Sequence, residues 1–87
     1  MDWEAYSFLV RSKFRIKILT SLKHAKTPTQ LAEVTDSSLP KISQTLNDLK
    51  KQSIVECMNP KQKTGRLYAL TDKGLELLEY YTKSMND

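Results

Sequence analysis

The chain has 87 residues and a net charge of +4, so we expect one small domain over 1–87 with an anionic partner. Its apolar and charged fractions, 39% and 28%, are typical of a folded protein and exclude a disordered chain. A single cysteine, Cys57, excludes an intrachain disulfide and a cysteine-based zinc site, so we expect no metal. No apolar run approaches the roughly 20 residues that span a bilayer, so we expect a cytoplasmic protein with no membrane partner.

The first third of the chain predicts two helices. Asp2 is placed to cap a helix that begins at Trp3, and Ser12 is placed to cap another over about 12–23. Apolar residues at helical spacing predict the core stripe of the second helix, and these are Phe14, Ile18, Leu19 and Leu22. The pattern leaves open whether the two helices are separate or continuous.

A third helix is predicted to begin at Thr27. Thr27 is a good N-cap, Pro28 fits the first helical position, and Gln30 completes a capping box. Leu31 and Val34 are expected to form the apolar edge of this short helix.

A fourth helix over about 38–51 follows after a tight turn, with Ser38 as its N-cap. Its apolar residues recur at helical spacing and predict a buried face of Leu39, Ile42, Leu46 and Leu49. The polar residues of the opposite face are Lys41, Gln44, Thr45 and Asp48. Two helices in this arrangement are typical of a helix-turn-helix, whose second helix contacts base edges in the DNA major groove.

After residue 53 the period of the pattern changes from helical to alternating, which predicts strands over 54–58 and 66–70. The polar loop between them makes a β-hairpin over about 54–71 with a basic tip. Thr71 is placed to cap a last helix, and Gly74 in its first turn predicts a close packing contact. The element order predicts an α+β fold, mainly α: a winged helix-turn-helix with a three-helix core, a β-hairpin wing and a C-terminal helix.

Four stretches resemble winged-helix transcriptional regulators of the archaeal and bacterial MarR/ArsR-like group, in particular the archaeal type. They are SKFRIKIL at 12–19, TPTQLA at 27–32, ISQTLNDL at 42–49, and IVEC at 54–57 with GRLYALTDKG at 65–74. The chain departs from the group in two respects. Paired cysteines near the helix-turn-helix, which metal sensors of the ArsR group carry, are absent. Many relatives have arginine where Gln44 stands, and Asp48 adds negative charge near the phosphates, so we expect modest affinity per monomer.

The predicted DNA contacts fall into two sets. Lys41, Gln44 and Thr45 are the predicted base contacts, because glutamine can pair with adenine, threonine can contact the thymine methyl, and lysine can reach guanine or phosphate. The predicted backbone contacts are Thr27, Ser38, Ser43, Lys61, Lys63 and Arg66. The competing interpretations are a solvated helix face and a charge run that only maintains solubility.

Four bulky aromatic residues lie on the two terminal helices: Trp3, Tyr6, Tyr80 and Tyr81. They fit either an intramolecular core or a dimer interface, and we favour a homodimer because four large rings exceed what so small a domain easily covers.

The leading hypothesis is a sequence-specific regulator of transcription that binds double-stranded DNA. The alternative is a winged-helix protein-interaction module within a larger transcription or replication assembly. No carboxylate pair, nucleophile–base arrangement or phosphate-binding glycine loop is present in the sequence, so we expect no enzyme activity and no cofactor. Cys57 fits a small strand residue better than a redox sensor, and His24 fits a helix C-terminus better than a metal ligand.

Overall fold

A computed structural model describes residues 1–85 and shows a mainly helical winged helix-turn-helix, which confirms the predicted fold class. Its elements in chain order are α1 (Trp3–Val10), α2 (Lys13–Ser21), α3 (Pro28–Thr35), α4 (Leu39–Lys51), β1 (Val55–Cys57), β2 (Tyr68–Leu70) and α5 (Asp72–Met85). The two strands pair antiparallel, and the helices pack around one apolar core.

Side-chain caps begin the first four helices where the sequence predicts them. Asp2, Ser12, Thr27 and Ser38 each accept a hydrogen bond from the backbone N–H three residues later. The cap at Ser12 separates α1 from α2, so the two predicted helices are distinct. Thr27 also donates its backbone N–H to Gln30 Oε1 at 2.9 Å, which completes the predicted capping box.

The core lies between all five helices and the sheet. Its fully buried side chains include Leu9, Ile18, Leu19, Leu31, Ile42, Leu46, Leu49, Ile54 and Leu77. Two predicted core positions are wrong. Val34 is 56% exposed because Leu31 and Thr35, one turn apart, occupy the inward face of α3. Leu39 is 48% exposed because it lies in the first turn of α4, beside the hairpin rather than beneath the helix.

The hairpin between residues 54 and 71, here called the wing, has shorter strands than predicted. Regular pairing joins Val55 to Leu70 and Cys57 to Tyr68, and the Met58 N–H then donates to the Leu67 carbonyl at 2.7 Å. Beyond this point the ladder ends, because the Leu67 N–H donates to the side chain of Asn59 instead of to a strand. Lys26 pairs with the outer edge of β2 through Tyr68, which ties the start of the helix-turn-helix to the wing.

The entry to α5 is packed tightly against β1. A Cβ atom on Gly74 would lie inside van der Waals distance of the Ile54 carbonyl oxygen, which confirms the predicted close contact. Thr71 accepts from the Gly74 N–H at 3.0 Å and donates its hydroxyl to the Ser53 carbonyl at 2.6 Å.

An ion pair fixes the N-terminus to α5. Lys73 Nζ lies 2.8 Å from Asp2 Oδ2 and also donates to the Gln52 carbonyl at 3.1 Å. The hydrogen bond from Lys73 lowers the pKa of the Asp2 carboxyl. Within residues 1–85, no helix has the length and apolar character needed to cross a membrane.

Candidate nucleic-acid interface

A groove runs between the N-terminus of α3, one side of α4 and the wing. The polar residues along it include Thr27 and Thr29 at the start of α3, Ser43 and Asn47 of α4, and Lys63, Thr64 and Arg66 of the wing. The start of α3 lies at this side of the molecule, and the dipole of a helix is positive at its N-terminus. The groove therefore presents donors and cations from three different segments of the chain.

Charge is distributed unevenly between this side and the rest of the protein. Residues 38–66 carry six of the 14 lysine and arginine residues but two of the ten acidic residues, so they account for the whole net charge of +4. Among residues 1–85, no carboxylate lines the groove. On the neighbouring surface of α4, Gln44 and Asn47 lie beside Lys50 and Lys51. An anion that enters the groove therefore meets positive charge and no lining carboxylate among residues 1–85.

The three predicted base contacts are placed differently on α4. Gln44 and Lys41 are exposed, and the Lys41 ammonium lies 4.2 Å from the centre of the Phe14 ring, which holds it towards α2. Thr45 is half-buried, and its hydroxyl donates to the Lys41 carbonyl at 2.8 Å. This bond uses the only hydroxyl proton, so the methyl group and the acceptor lone pairs of the oxygen are left for contact with a ligand.

The six predicted backbone contacts also separate in space. Ser43, Lys63 and Arg66 line the groove together with Thr27, whereas Lys61 and Ser38 do not. The hydroxyls of Thr27 and Ser38 already accept from Gln30 and Lys41 as helix caps. Arg66 donates its Nε to the Gln62 carbonyl at 2.8 Å, which orients the guanidinium on the wing.

Sequence reasoning missed several residues that line this groove, chiefly Asn47 and Thr64. Asn47 lies three residues after Gln44, so helical spacing alone places the two on adjoining faces and could have identified it. Sequence reasoning also missed Asn59, whose side chain joins the two arms of the wing loop. The Asn59 side chain accepts from the Leu67 N–H at 2.7 Å and donates to the Gly65 carbonyl at 3.3 Å.

Three of the four aromatic residues assigned to a dimer interface pack against one another within the chain. The ring centres of Trp3, Tyr6 and Tyr80 lie 5.0 to 6.1 Å apart in edge-to-face pairs. Trp3 nevertheless remains 58% exposed and Tyr80 40% exposed. Tyr81 is half-buried and does not take part in these pairs. The cluster is thus an intramolecular contact with an open outer surface.

Cys57 and His24 lie outside the groove. Cys57 is half-buried on β1, and its thiol donates to Asn59 Oδ1 at 3.6 Å. His24 is exposed in the connection between α2 and α3. Among residues 1–85, no group of three or more His, Cys, Asp or Glu side chains is arranged to hold a metal ion.

Comparison with known proteins relates this fold to that of winged-helix transcriptional regulators of the MarR family. No family model and no curated protein sequence matches the chain. Among solved structures, a cysteine-to-serine mutant of MarR from E. coli complexed with operator DNA is 30% identical, with a TM-score of 0.74 over 88% of this chain and 57% of that chain. This chain therefore spans less than two thirds of the length of MarR.

Two further structures share the fold at lower identity. The transcriptional regulator YodB from B. subtilis is 21% identical, with a TM-score of 0.80 over 95% of this chain and 84% of that chain. A mutant of MepR from a multidrug-resistant S. aureus clinical isolate is 20% identical, with a TM-score of 0.77 over 97% and 66% of the two chains. The architecture of this chain is that of the MarR-like winged helix.

Proposed function

We propose that this chain is a MarR-like transcriptional regulator of the archaeal type that binds double-stranded DNA sequence-specifically as a homodimer. The observation that carries the proposal is the groove itself: within residues 1–85, cations of the wing, the N-terminus of α3 and the polar side of α4 converge where no carboxylate lies. The structural likeness to MarR, which has been crystallised with operator DNA, supports the same conclusion. A cytoplasmic location and the absence of catalysis belong to this proposal.

In the proposed complex, α4 enters the major groove, which is wide enough to admit a helix. Gln44 contacts an adenine edge, the Thr45 methyl contacts thymine, and Lys41 reaches guanine or a neighbouring phosphate. Asn47 adds a second amide on the adjoining face of the helix. Ile42, Leu46 and Leu49 hold the opposite face in the core, so these polar side chains project from a rigid support.

The wing is proposed to contact the flanking phosphates through Lys61, Lys63 and Arg66. Lys63 and Arg66 lie across the groove from Ser43, so a DNA backbone in the groove touches α4 and the wing together. Thr27 and Ser38 sit at the two helix N-termini, where the positive ends of the dipoles suit phosphate oxygens.

Dimerisation is proposed through the terminal helices. The exposed surface of the cluster formed by Trp3, Tyr6 and Tyr80, with Tyr81 beside it, supplies large rings that a second copy would cover. In a two-fold dimer the two α4 helices would enter successive major grooves about 34 Å apart.

Selection of bound sites from random duplex DNA tests the proposal. The expected result is an enriched, two-fold symmetric sequence whose half-sites are separated by about one helical turn. If neither selected nor random duplex binds at low salt, the DNA-binding function is wrong, and the protein-interaction module becomes the better hypothesis. If DNA binds without any enriched sequence, the proposed specificity is wrong.

A further inference from the structure

We infer that Asp48 is a positioning residue that holds the Gln44 amide in the orientation that accepts adenine and rejects guanine. The inference rests on the proposed DNA-binding function and adds the residue that sets base choice within it. Asp48 lies one helical turn after Gln44 on α4, and Gln44 Nε2 donates to Asp48 Oδ1 at 3.1 Å. Gln44 is exposed and Asp48 is half-buried, so the pair lies at the surface with Asp48 nearer the helix.

The chemistry of the pair determines the direction of the amide. A carboxylate only accepts hydrogen bonds, so the nitrogen of Gln44, and not its oxygen, must face Asp48. The amide is thereby prevented from rotating by half a turn. Its Oε1 and one remaining N–H make no hydrogen bond within residues 1–85, and the side chain is exposed.

This free pair of groups matches one base edge better than the others. Adenine presents an N–H donor at N6 beside the acceptor N7, and the free Oε1 and N–H of Gln44 complement them. Guanine presents two acceptors, O6 and N7. A glutamine with both N–H groups free can donate to both guanine atoms, but Asp48 already occupies one of the two. Asp48 therefore removes the alternative contact that would make Gln44 tolerant of guanine.

The negative charge of Asp48 lowers the affinity of this face for DNA. Asp48 is the one acidic residue of α4, and on this face a carboxylate opposes approach to the phosphates. It is not neutralised by a neighbour: within residues 1–85 the only salt bridge joins Lys73 and Asp2. The hydrogen bond to Gln44 is the contact of the Asp48 side chain that the structure shows.

The test uses Asp48→Asn, which has the same shape but lacks the charge and lets both amides rotate. Sites are first selected with the wild type and with Gln44→Ala to find the base pair whose preference depends on Gln44. Dissociation constants are then measured for the selected duplex, for the same duplex with G·C replacing A·T at that pair, and for scrambled DNA. The proteins are wild type, the two single variants, the double variant and Glu56→Gln, a control that removes an exposed charge of β1.

The wild type should prefer adenine over guanine by roughly 5- to 150-fold, the range for one bidentate contact. Asp48→Asn should bind scrambled DNA more tightly and lose most of this preference, whereas Glu56→Gln should gain affinity and keep it. In the Gln44→Ala background, Asp48→Asn should no longer affect the preference, because the two residues act as one unit.

Two results would overturn the inference while leaving DNA binding intact. In the first, Asp48→Asn binds all three duplexes more tightly and its preference for adenine is unchanged. In the second, no base pair shows a preference that depends on Gln44. Absence of DNA binding by the wild type would overturn the proposed function itself, and the inference with it.

Discussion

Replacing Gly74 by alanine should destabilise the protein, although alanine is the better helix former. At an ordinary site in a helix the change from glycine to alanine stabilises by about 1 kcal/mol. Here the new Cβ would collide with the Ile54 carbonyl oxygen and lie 3.1 Å from the carbonyl carbon. Both atoms belong to the backbone of the chain entering β1, so no side-chain rotation relieves the collision.

The size of the effect follows from what must move. Inserting a methyl group into a packed site costs about 1–3 kcal/mol. If α5 shifts to make room, the Thr71 hydroxyl is pulled from its bonds to the Ser53 and Ile54 carbonyls, and each hydrogen bond contributes about 0.5–1.5 kcal/mol. The collision and the two lost hydrogen bonds together cost about 2–6 kcal/mol, so after subtracting the gain in helix propensity we expect a net loss of about 1–5 kcal/mol. For a domain of this size, each kcal/mol lowers the melting temperature by about 4–8 °C.

Thermal and urea unfolding of Gly74→Ala and Gly65→Ala, the other glycine variant, measure this directly. Gly65 has φ of +65° and nothing within 4 Å of its would-be Cβ, so its substitution should cost about 1–2 kcal/mol through left-handed strain alone. Only the Gly74 variant should also disturb α5, because Gly74 lies in that helix whereas Gly65 lies in the wing. A Gly74→Ala protein as stable as the wild type, or more stable, would refute the packing argument.

Three further predictions concern the core, the wing and assembly. Leu46→Ala removes a side chain that is 1% exposed, so unfolding in urea should show a loss of about 2–5 kcal/mol, and a loss near zero would mean that α4 packs differently. Replacing both Lys63 and Arg66 by alanine should weaken binding to selected and scrambled DNA alike. It should also reduce the slope of log K against log salt by about 0.9 for each phosphate that the variant no longer neutralises, whereas an unchanged slope would show that the wing does not contact DNA. Sedimentation should show a dimer at micromolar concentration that shifts towards monomer in Trp3→Ala with Tyr80→Ala, and a wild type that stays monomeric would contradict the proposed homodimer.

The helix starts could be predicted because their causes are local. Thr27 and Gln30 satisfy each other's backbone groups within one turn, and Ser12 begins α2 by accepting from the Arg15 N–H in the same way. Gly74 was predictable for a related reason, since a glycine in a first helical turn is unfavourable unless another segment approaches closely. These inferences need no knowledge of the tertiary structure.

The features that sequence reasoning missed depend on contacts between distant segments. Periodicity separates the inner from the outer face of α4, but it does not show which side of the helix the wing approaches. The position of the wing decides that Asn47 lines the groove and Thr45 does not. The aromatic residues were recognised by size alone. Their arrangement follows from the packing of α1 against α5, which sets Trp3 and Tyr80 5.3 Å apart.

Asn59 is the residue whose substitution should separate wing order from global stability. Its amide joins the two arms of the wing loop by accepting from the Leu67 N–H and donating to the Gly65 carbonyl, and it lies outside the apolar core. Asn59→Ala removes these two bonds, together worth about 1–3 kcal/mol, and also the weak bond from the Cys57 thiol, so a locally opened wing should become roughly 5- to 150-fold more populated.

Limited digestion with trypsin reports this opening without any DNA, because three of its cleavage sites lie in the loop: Lys61, Lys63 and Arg66. Cleavage in the loop should accelerate in Asn59→Ala, while the urea midpoint of the whole domain changes little. Gln62→Ala is the matched control, since the exposed Gln62 side chain takes part in no hydrogen bond among residues 1–85 and its backbone bonds are retained. Equal cleavage of wild type and Asn59→Ala would show that the bond from Arg66 to the Gln62 carbonyl, with the β1–β2 ladder, is enough to hold the wing closed. In that case the basic side chains facing α4 do not depend on Asn59.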